Sequence, residues 1–254
     1  MLNSNDFLRY SRHFLLKEVG IKGQKKIRKS KILIIGLGGL GSIASIYLFS
    51  SGVNTIIVAD GDIVELSDLQ RQIIYNLNQL GELKAKLVKN YLKLINPDSQ
   101  ITAVSKYLDK NNMFPFIKKV DIVLDCTDNL KSRRIINELC IKANKPLVIA
   151  SAIGFKGQII VIKPPWKFGC YSCLWSTDVV ENHNCESLGI FSPITGIIGT
   201  FQALETLKLI LYGKSSINGK ILLFNGFNFL INQINLKKNT FCLVCGEKNE
   251  NNSK

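Results

Sequence analysis

A run of glycines does most to limit how this chain can fold. Gly36-Leu-Gly-Gly-Leu-Gly41 follows the apolar stretch Lys31–Ile35 and opens a segment of helical texture, Gly38–Ser51. A short, nearly continuous apolar run of this kind reads as a parallel strand buried on both faces. A second such strand, Thr55–Ala59, ends at Asp60, 19 positions beyond Gly41. Strand, glycine loop, helix, strand and acid bring backbone N–H groups to a phosphate at a helix N-terminus, and a carboxylate to ribose hydroxyls. The candidate nucleotide-binding residues are therefore Gly36, Gly38, Gly39, Gly41 and Asp60. A tight packing turn is the plainer reading of the glycines alone, but the flanking strands and the acid favour a nucleotide.

The alternation continues downstream. Lys84–Ile95 has amphipathic helical spacing and is closed by Asn96-Pro97. Strands are expected at Ile101–Val104, Asp121–Cys126 and Leu147–Ala150, with a helix over Leu130–Ala143. That order predicts an α/β fold with a Rossmann-like, doubly wound parallel sheet. After Gly157 the texture changes. Gln158–Ile162, Ile221–Phe224 and Phe229–Leu236 read as hairpin-connected strands around a helix at 194–211, so the sheet is expected to become antiparallel there. The expected organisation is an N-terminal helical arm (1–30), one domain (31–247) and a polar tail (248–254), which suits a chain of 254 residues.

Which nucleotide is bound depends on the neighbouring charges. Asp60-Gly-Asp62 leads into Leu66-Ser-Asp-Leu-Gln-Arg-Gln72, Lys84 opens a helix, and Leu124-Asp-Cys-Thr-Asp128 ends a strand. Arg71, Lys84 and Asp128 thus fall at carboxyl ends of the sheet, where open α/β folds bind ligands. Cations for a triphosphate and an acid for Mg²⁺ are what adenylyl transfer requires. An NAD(P) oxidoreductase is the rival reading of the glycine loop. The bland alternatives are that Lys84 is a surface charge in a lysine-rich chain and that Asp128 merely caps the helix after it.

Cys170-x-x-Cys173 and Cys242-x-x-Cys245 are two knuckles with 68 residues between them. Two such pairs converging on one ion make a closed tetrahedral four-cysteine site for Zn²⁺, structural in kind. A redox pair would need only one of them. Cys126 and Cys140 sit in apolar surroundings and read as core. Cys185 differs: it lies in the polar stretch Glu181-Asn-His-Asn-Cys-Glu-Ser187 and is a candidate nucleophile, with His183 favouring its thiolate and Glu186 opposing it.

The net charge of +14 invites a nucleic-acid reading. However, 27 of the 33 basic residues are Lys, and no dense basic cluster is interleaved with aromatics. Neither nucleic acid nor membrane is expected as a partner. The apolar run at 190–204 is broken by Ser192, Pro193, Gly196, Gly199 and Gln202, and reads as a buried helix. The first residues lack an export pattern, so a reducing, cytoplasmic setting is expected for the seven cysteines.

Taken together, Arg9-Tyr-Ser-Arg12, Gly36–Gly41, Asp60, Leu66–Gln72, Leu124–Asn129 and both cysteine pairs resemble the E1-like adenylyltransferases of the ThiF/MoeB/HesA group, nearly end to end. Pro164–Trp175 and Cys185 look most like the thiamine-pathway branch; the same chemistry on a molybdopterin-pathway carrier is the near alternative. The resemblance implies ATP bound by Gly39, Asp60, Ser67, Asp68, Leu69, Gln70, Arg71 and Lys84, with Asp128 holding Mg²⁺. It implies adenylylation of the C-terminal glycine of a ubiquitin-like sulfur carrier protein ending in Gly-Gly, and a persulfide sulfur donor protein. It further implies a homodimer in which Arg12 reaches the partner's site, and a covalent link from Cys185 to the carrier. Where the group usually has Asn, this chain has Asp68. An added carboxylate near phosphates is repulsive unless a basic neighbour compensates. On charge alone, Asp68→Asn is expected to be neutral or to raise adenylation.

Overall fold

The computed structural model describes residues 2–174 and 189–246. Its strands are β1 (Lys31–Ile35), β2 (Thr55–Ala59), β3 (Gln100–Val104), β4 (Ile122–Asp125), β5 (Leu147–Ile153), β6 (Lys156–Ile162), β7 (Lys220–Asn225) and β8 (Leu230–Asn235). They form one eight-stranded sheet in the order β3-β2-β1-β4-β5-β6-β7-β8. From β1 to β5 the pairings are parallel; from β5 to β8 they are antiparallel. The mixed α/β sheet follows the expected pattern, including the change of direction after β5.

The helices are α1 (Ser4–Arg9), α2 (Ser11–Phe14), α3 (Gly20–Lys29), α4 (Gly41–Ser50), α5 (Lys84–Ile95), α6 (Phe114–Lys118), α7 (Leu130–Lys142), α8 (Tyr171–Leu174) and α9 (Ser192–Tyr212). Side-chain alternation along β1 shows how they divide. Ile32 and Ile34 face a core shared with Leu48 of α4, Leu92 of α5 and Ile198 of α9. Leu33 and Ile35 face the opposite core, with Ile117 of α6, Ile136 of α7 and Tyr171 of α8. Both faces of the parallel strands are covered, which is why they read as continuous apolar runs.

α9 is long and apolar enough to cross a membrane by length and composition. Here it packs against α4, β5, β6 and α3, with Ile194, Ile198, Ala203 and Leu209 in the core. It ends at Gly213, whose φ of 65° gives the left-handed turn that glycine favours. Side chains tie α1 to α3 and α3 to the domain. Arg28 pairs with Asp6 at 2.7 Å, and Lys26 Nζ donates to the Leu211 carbonyl at 2.6 Å.

Several boundaries move for physical reasons. α4 starts at Gly41 because Gly38-Gly39-Leu40 are spent on the loop. β5 runs on to Ile153 because it turns directly into β6, pairing Ile153 with Lys156. β4 is shorter than Asp121–Cys126, although both end residues keep ladder bonds: Asp121 N to Lys31 O at 2.8 Å, and Cys126 N to Ile35 O at 2.9 Å. α6 and α8 are too short to leave a helical period in the sequence. The tail 248–254 lies outside the described residues.

Candidate functional site

β1 has β2 on one side and β4 on the other, so the chain reverses direction of progress across the sheet at the β1/β4 seam. In open α/β sheets such a switch point, beyond the carboxyl ends of the strands, is where ligands bind. The glycine loop stands there. Gly36 has φ of 87°, and a Cβ on it would lie 2.8 Å from the Cys126 carbonyl oxygen. A Cβ on Gly41 would lie 1.8 Å from the Gly36 carbonyl oxygen. These two glycines let the loop fold on itself and against the β4 loop. Gly39 abuts Thr195 at the start of α9, at 3.0 Å from a built Cβ, whereas Gly38 has nothing nearer than Gln72 Nε2 at 3.5 Å.

Leu37 is clamped between the glycines. Its N–H donates to Asp60 Oδ2 at 2.6 Å, and its carbonyl accepts from the buried Tyr75 hydroxyl at 2.8 Å. Burial is the leading cause that raises the Asp60 pKa above the ordinary carboxylate value, and Tyr75 is raised by burial too. Asp60 Oδ1 also accepts the Asp62 N–H at 2.8 Å.

Lys84 is not a surface charge. An isolated bridge between Ile63 and Leu83, and the Lys84 N–H bond to the Asp62 carbonyl at 3.0 Å, set the start of α5 beside the β2 loop. The side chain is 7% exposed; its Nζ lies 3.0 Å from Asp68 Oδ2 and 3.8 Å from Asp62 Oδ2. Asp68 ends a short 3-10 turn (Leu66–Asp68), and its carbonyl accepts from both Arg71 N and Gln72 N. That winding brings the Arg71 and Gln72 side chains back to Asp68 Oδ1, at 3.1 and 2.6 Å. Arg71 also donates to the Ser67 carbonyl at 2.8 Å, and its backbone carbonyl accepts from Thr195 at 3.4 Å. The extra carboxylate of Asp68 thus has two basic neighbours. Ser67 and Gln70 are exposed, and Leu69 packs against the core.

Asp128 is exposed on the β4 loop. It is not the helix cap: Asn129 is, accepting the Ser132 N–H at 2.8 Å. The Asp128 carboxylate has only Asn129 Nδ2 at 3.4 Å among the described contacts, so its oxygens suit a hard cation such as Mg²⁺. Asp125, just before it, is fully buried. Its Oδ1 takes the Thr127 N–H and hydroxyl, its Oδ2 has no partner, and burial raises its pKa. Tyr107, beyond β3, escaped the sequence reading because its polar surroundings carry no motif. Its ring lies against Gly61, and its hydroxyl bonds Asp62, which raises its pKa to about 12. Asp62 and Gln72 lie inside sequence motifs whose spacing gives them no role; only the folded turn reveals their contacts.

Two expected residues are not joined to this group. Arg12 is exposed on α2, which packs on α1 and α3, and makes none of the described bonds to the loop residues. Cys185 lies outside the described residues.

The four paired cysteines converge. Their Sγ atoms all lie within 4.8 Å of one another, with separations of 3.4 Å (Cys173–Cys245), 3.8 Å (Cys170–Cys242) and 4.0 Å (Cys170–Cys173). Sulfurs about 2.3 Å from a tetrahedral zinc ion stand about 3.8 Å apart, so the set fits Zn²⁺. Buried Asn137 of α7 braces it, donating to Cys170 Sγ at 3.5 Å and Ser172 Oγ at 3.1 Å and accepting the Tyr171 N–H at 3.1 Å. Cys126 and Cys140 are buried in the two cores, and burial raises both thiols.

A glycine loop, a buried acid at the next strand end and a cation pair gathered at a switch point are the features of an α/β nucleotide-binding protein. The chain belongs to the ThiF family, whose model matches residues 10–244. It is 42% identical over 248 residues to the sulfur carrier protein ThiS adenylyltransferase of Escherichia coli (strain K12), covering 98% of each chain. It is 37% identical over 247 residues to the molybdopterin-synthase adenylyltransferase of the same organism, covering 97% of this chain and 99% of the relative. These relatives set the chain among adenylyltransferases. A crystal structure of E. coli MccB with ATP shares the fold, with a TM-score of 0.83 at 23% identity, over 96% of this chain and 75% of that one.

Proposed function

We propose that this chain transfers AMP from ATP to the C-terminal glycine carboxylate of a ubiquitin-like sulfur carrier protein of the ThiS kind, for thiocarboxylate formation and thiazole synthesis. The observation that carries the reading is the meeting of Arg71 and Lys84 on Asp68, with Asp128 on the β4 loop that packs against Gly36, in a chain 42% identical to a ThiS adenylyltransferase.

The carrier carboxylate oxygen attacks the α-phosphorus of ATP. The bond from that phosphorus to the bridging oxygen breaks, and pyrophosphate leaves with the electron pair. The product is the acyl-adenylate. No protein nucleophile is needed; the chain positions the nucleotide and offsets the charge that develops on pyrophosphate. Asp60 accepts ribose hydroxyls, the glycine-loop amides receive phosphate oxygens, and Arg71 and Lys84 face the triphosphate. Asp128 would hold Mg²⁺, which supplies further charge neutralisation when bound.

Arg12, unpaired among the described contacts, is assigned to the partner's site in a homodimer. The Cys170/Cys173/Cys242/Cys245 set is assigned to structural Zn²⁺. Cys185 is assigned, from its sequence setting, to sulfur transfer after adenylation, with a persulfide protein as donor.

Carrier-dependent exchange of labelled pyrophosphate into ATP tests the reading. Exchange is expected with a ThiS-like carrier and is expected to vanish when the terminal glycine is removed. Exchange with no carrier, or none with any carrier, overturns it. Exchange with a molybdopterin-synthase carrier alone moves the assignment to that branch, the one favoured by the 37% relative.

A further inference from the structure

We infer that Asp68 is a positioning residue that aims Arg71 at the nucleotide's phosphates; this rests on the adenylylation reading above. Every acceptor position of the Asp68 carboxylate is in use. Oδ1 takes Arg71 Nη2 at 3.1 Å and Gln72 Nε2 at 2.6 Å; Oδ2 takes Glu65 N at 3.1 Å and Lys84 Nζ at 3.0 Å. Four donors on two oxygens is the full capacity of an ionised carboxylate.

Depth sets the direction of action. The side chains of Asp68 and Lys84 are 8% and 7% exposed, whereas that of Arg71 is 28% exposed. Arg71 is thus the outer member of the group. It is restrained from behind by Asp68 and by the Ser67 carbonyl, with donors of its guanidinium left to face a ligand. A phosphate can meet Arg71 without displacing Asp68.

An Asn at this position cannot reproduce the arrangement. Both edges of the carboxylate are met only by donors, so the amide NH2 must face one donor pair. Gln72 Oε1 is buried without a partner, so Gln72 can rotate and accept from that NH2. The Asn oxygen then stays with Lys84 and Glu65, and Arg71 loses its carboxylate partner and keeps only the Ser67 carbonyl. Asp68→Asn should therefore lower activity, the reverse of what charge repulsion alone suggests.

The test is a double-mutant cycle on the full chain: wild type, Asp68→Asn, Arg71→Ala and the double variant. Pyrophosphate exchange is measured with carrier, and ATP affinity is measured by calorimetry without it. Asp68→Asn is expected to lose about tenfold in kcat/KM for ATP, the scale of one charge-assisted restraint. In the Arg71→Ala background the same substitution should change kcat/KM by less than about twofold, because Asp68 acts through Arg71. Equal losses in both backgrounds would mean a merely structural role and overturn the proposal, as would Asp68→Asn activity at or above wild type. Should Asp68→Asn fail to fold, Asp68→Glu replaces it in the cycle. It keeps the charge, displaces the carboxylate, and should show a smaller loss with the same dependence on Arg71. If wild-type protein shows no exchange, the adenylylation reading fails on that result, while the cycle read by ATP affinity still decides the role of Asp68.

Discussion

Asp60 accepts the Leu37 N–H at 2.6 Å, so the acid that ends β2 also holds the glycine loop that ends β1. Its two duties differ in their response to pH. Burial raises its pKa above the ordinary 3.8, so the folded state binds the proton more tightly than the unfolded chain does. The stability it contributes is complete below that ordinary value and is lost as pH rises through the raised one. Compared with an Asp60→Asn variant, wild-type protein should lose melting temperature as pH rises above the ordinary 3.8. Nucleotide binding should run the other way, since an ionised acceptor suits ribose. Melting curves and ATP titrations across that range check both; parallel pH profiles for the two proteins refute the assignment.

The glycines separate fold from function. Gly41→Ala sets a methyl 1.8 Å from the Gly36 carbonyl oxygen, a backbone atom that cannot move alone. A destabilisation of about 3 kcal/mol or more is expected, measured by denaturant unfolding. Gly38→Ala meets only Gln72 Nε2 at 3.5 Å, an ordinary contact. That variant should melt close to wild type and still lose about tenfold in ATP affinity, because a side chain there obstructs close approach of a phosphate to the loop backbone.

The cysteine cluster predicts about one Zn²⁺ per chain by elemental analysis. Cys170→Ser or Cys242→Ser should lose metal and melting temperature together. Asn137→Ala keeps all four thiols but removes their brace, and should weaken metal binding by roughly 10- to 100-fold in a chelator competition. Folded, active protein free of zinc would contradict the site.

Arg12→Ala and Asp128→Asn should each abolish exchange when pure. Mixed after subunit exchange, they should recover part of it, because a hybrid dimer holds one site with both residues intact. No recovery, with hybrids demonstrated by mass spectrometry, would place Arg12 in its own chain's site.

The sheet was readable in the sequence because burial on both faces leaves a continuous apolar run, as in Ile32–Ile35 and Ile56–Ala59. The cysteine set was readable because two CxxC pairs have few other uses. The charges were only half readable. Arg71, Lys84 and Asp128 could be placed at strand ends, but whether Lys84 was a surface lysine depended on the bridge between Ile63 and Leu83 that turns it inward. From the sequence Asp68 is a charge whose effect is repulsion. Its four hydrogen bonds come from backbone winding and from α5, neither of which has a signature in spacing. Tyr107 and Asn137 left no signal, since each acts through a partner distant in sequence.

α7 joins the β4 loop to the cysteine cluster. Near its start Arg133 donates to the Thr127 carbonyl, beside Asp128, and to the Ala150 carbonyl; one turn on, Asn137 grips the cysteine knuckle. A single helix therefore has the loop that carries Asp128 at its head and the thiols at its waist. If a ligand at one end tightens the other, the reverse must hold by the same factor. ATP would then slow the stripping of metal by a chelator, and stripped protein would bind ATP more weakly even while its sheet remained intact.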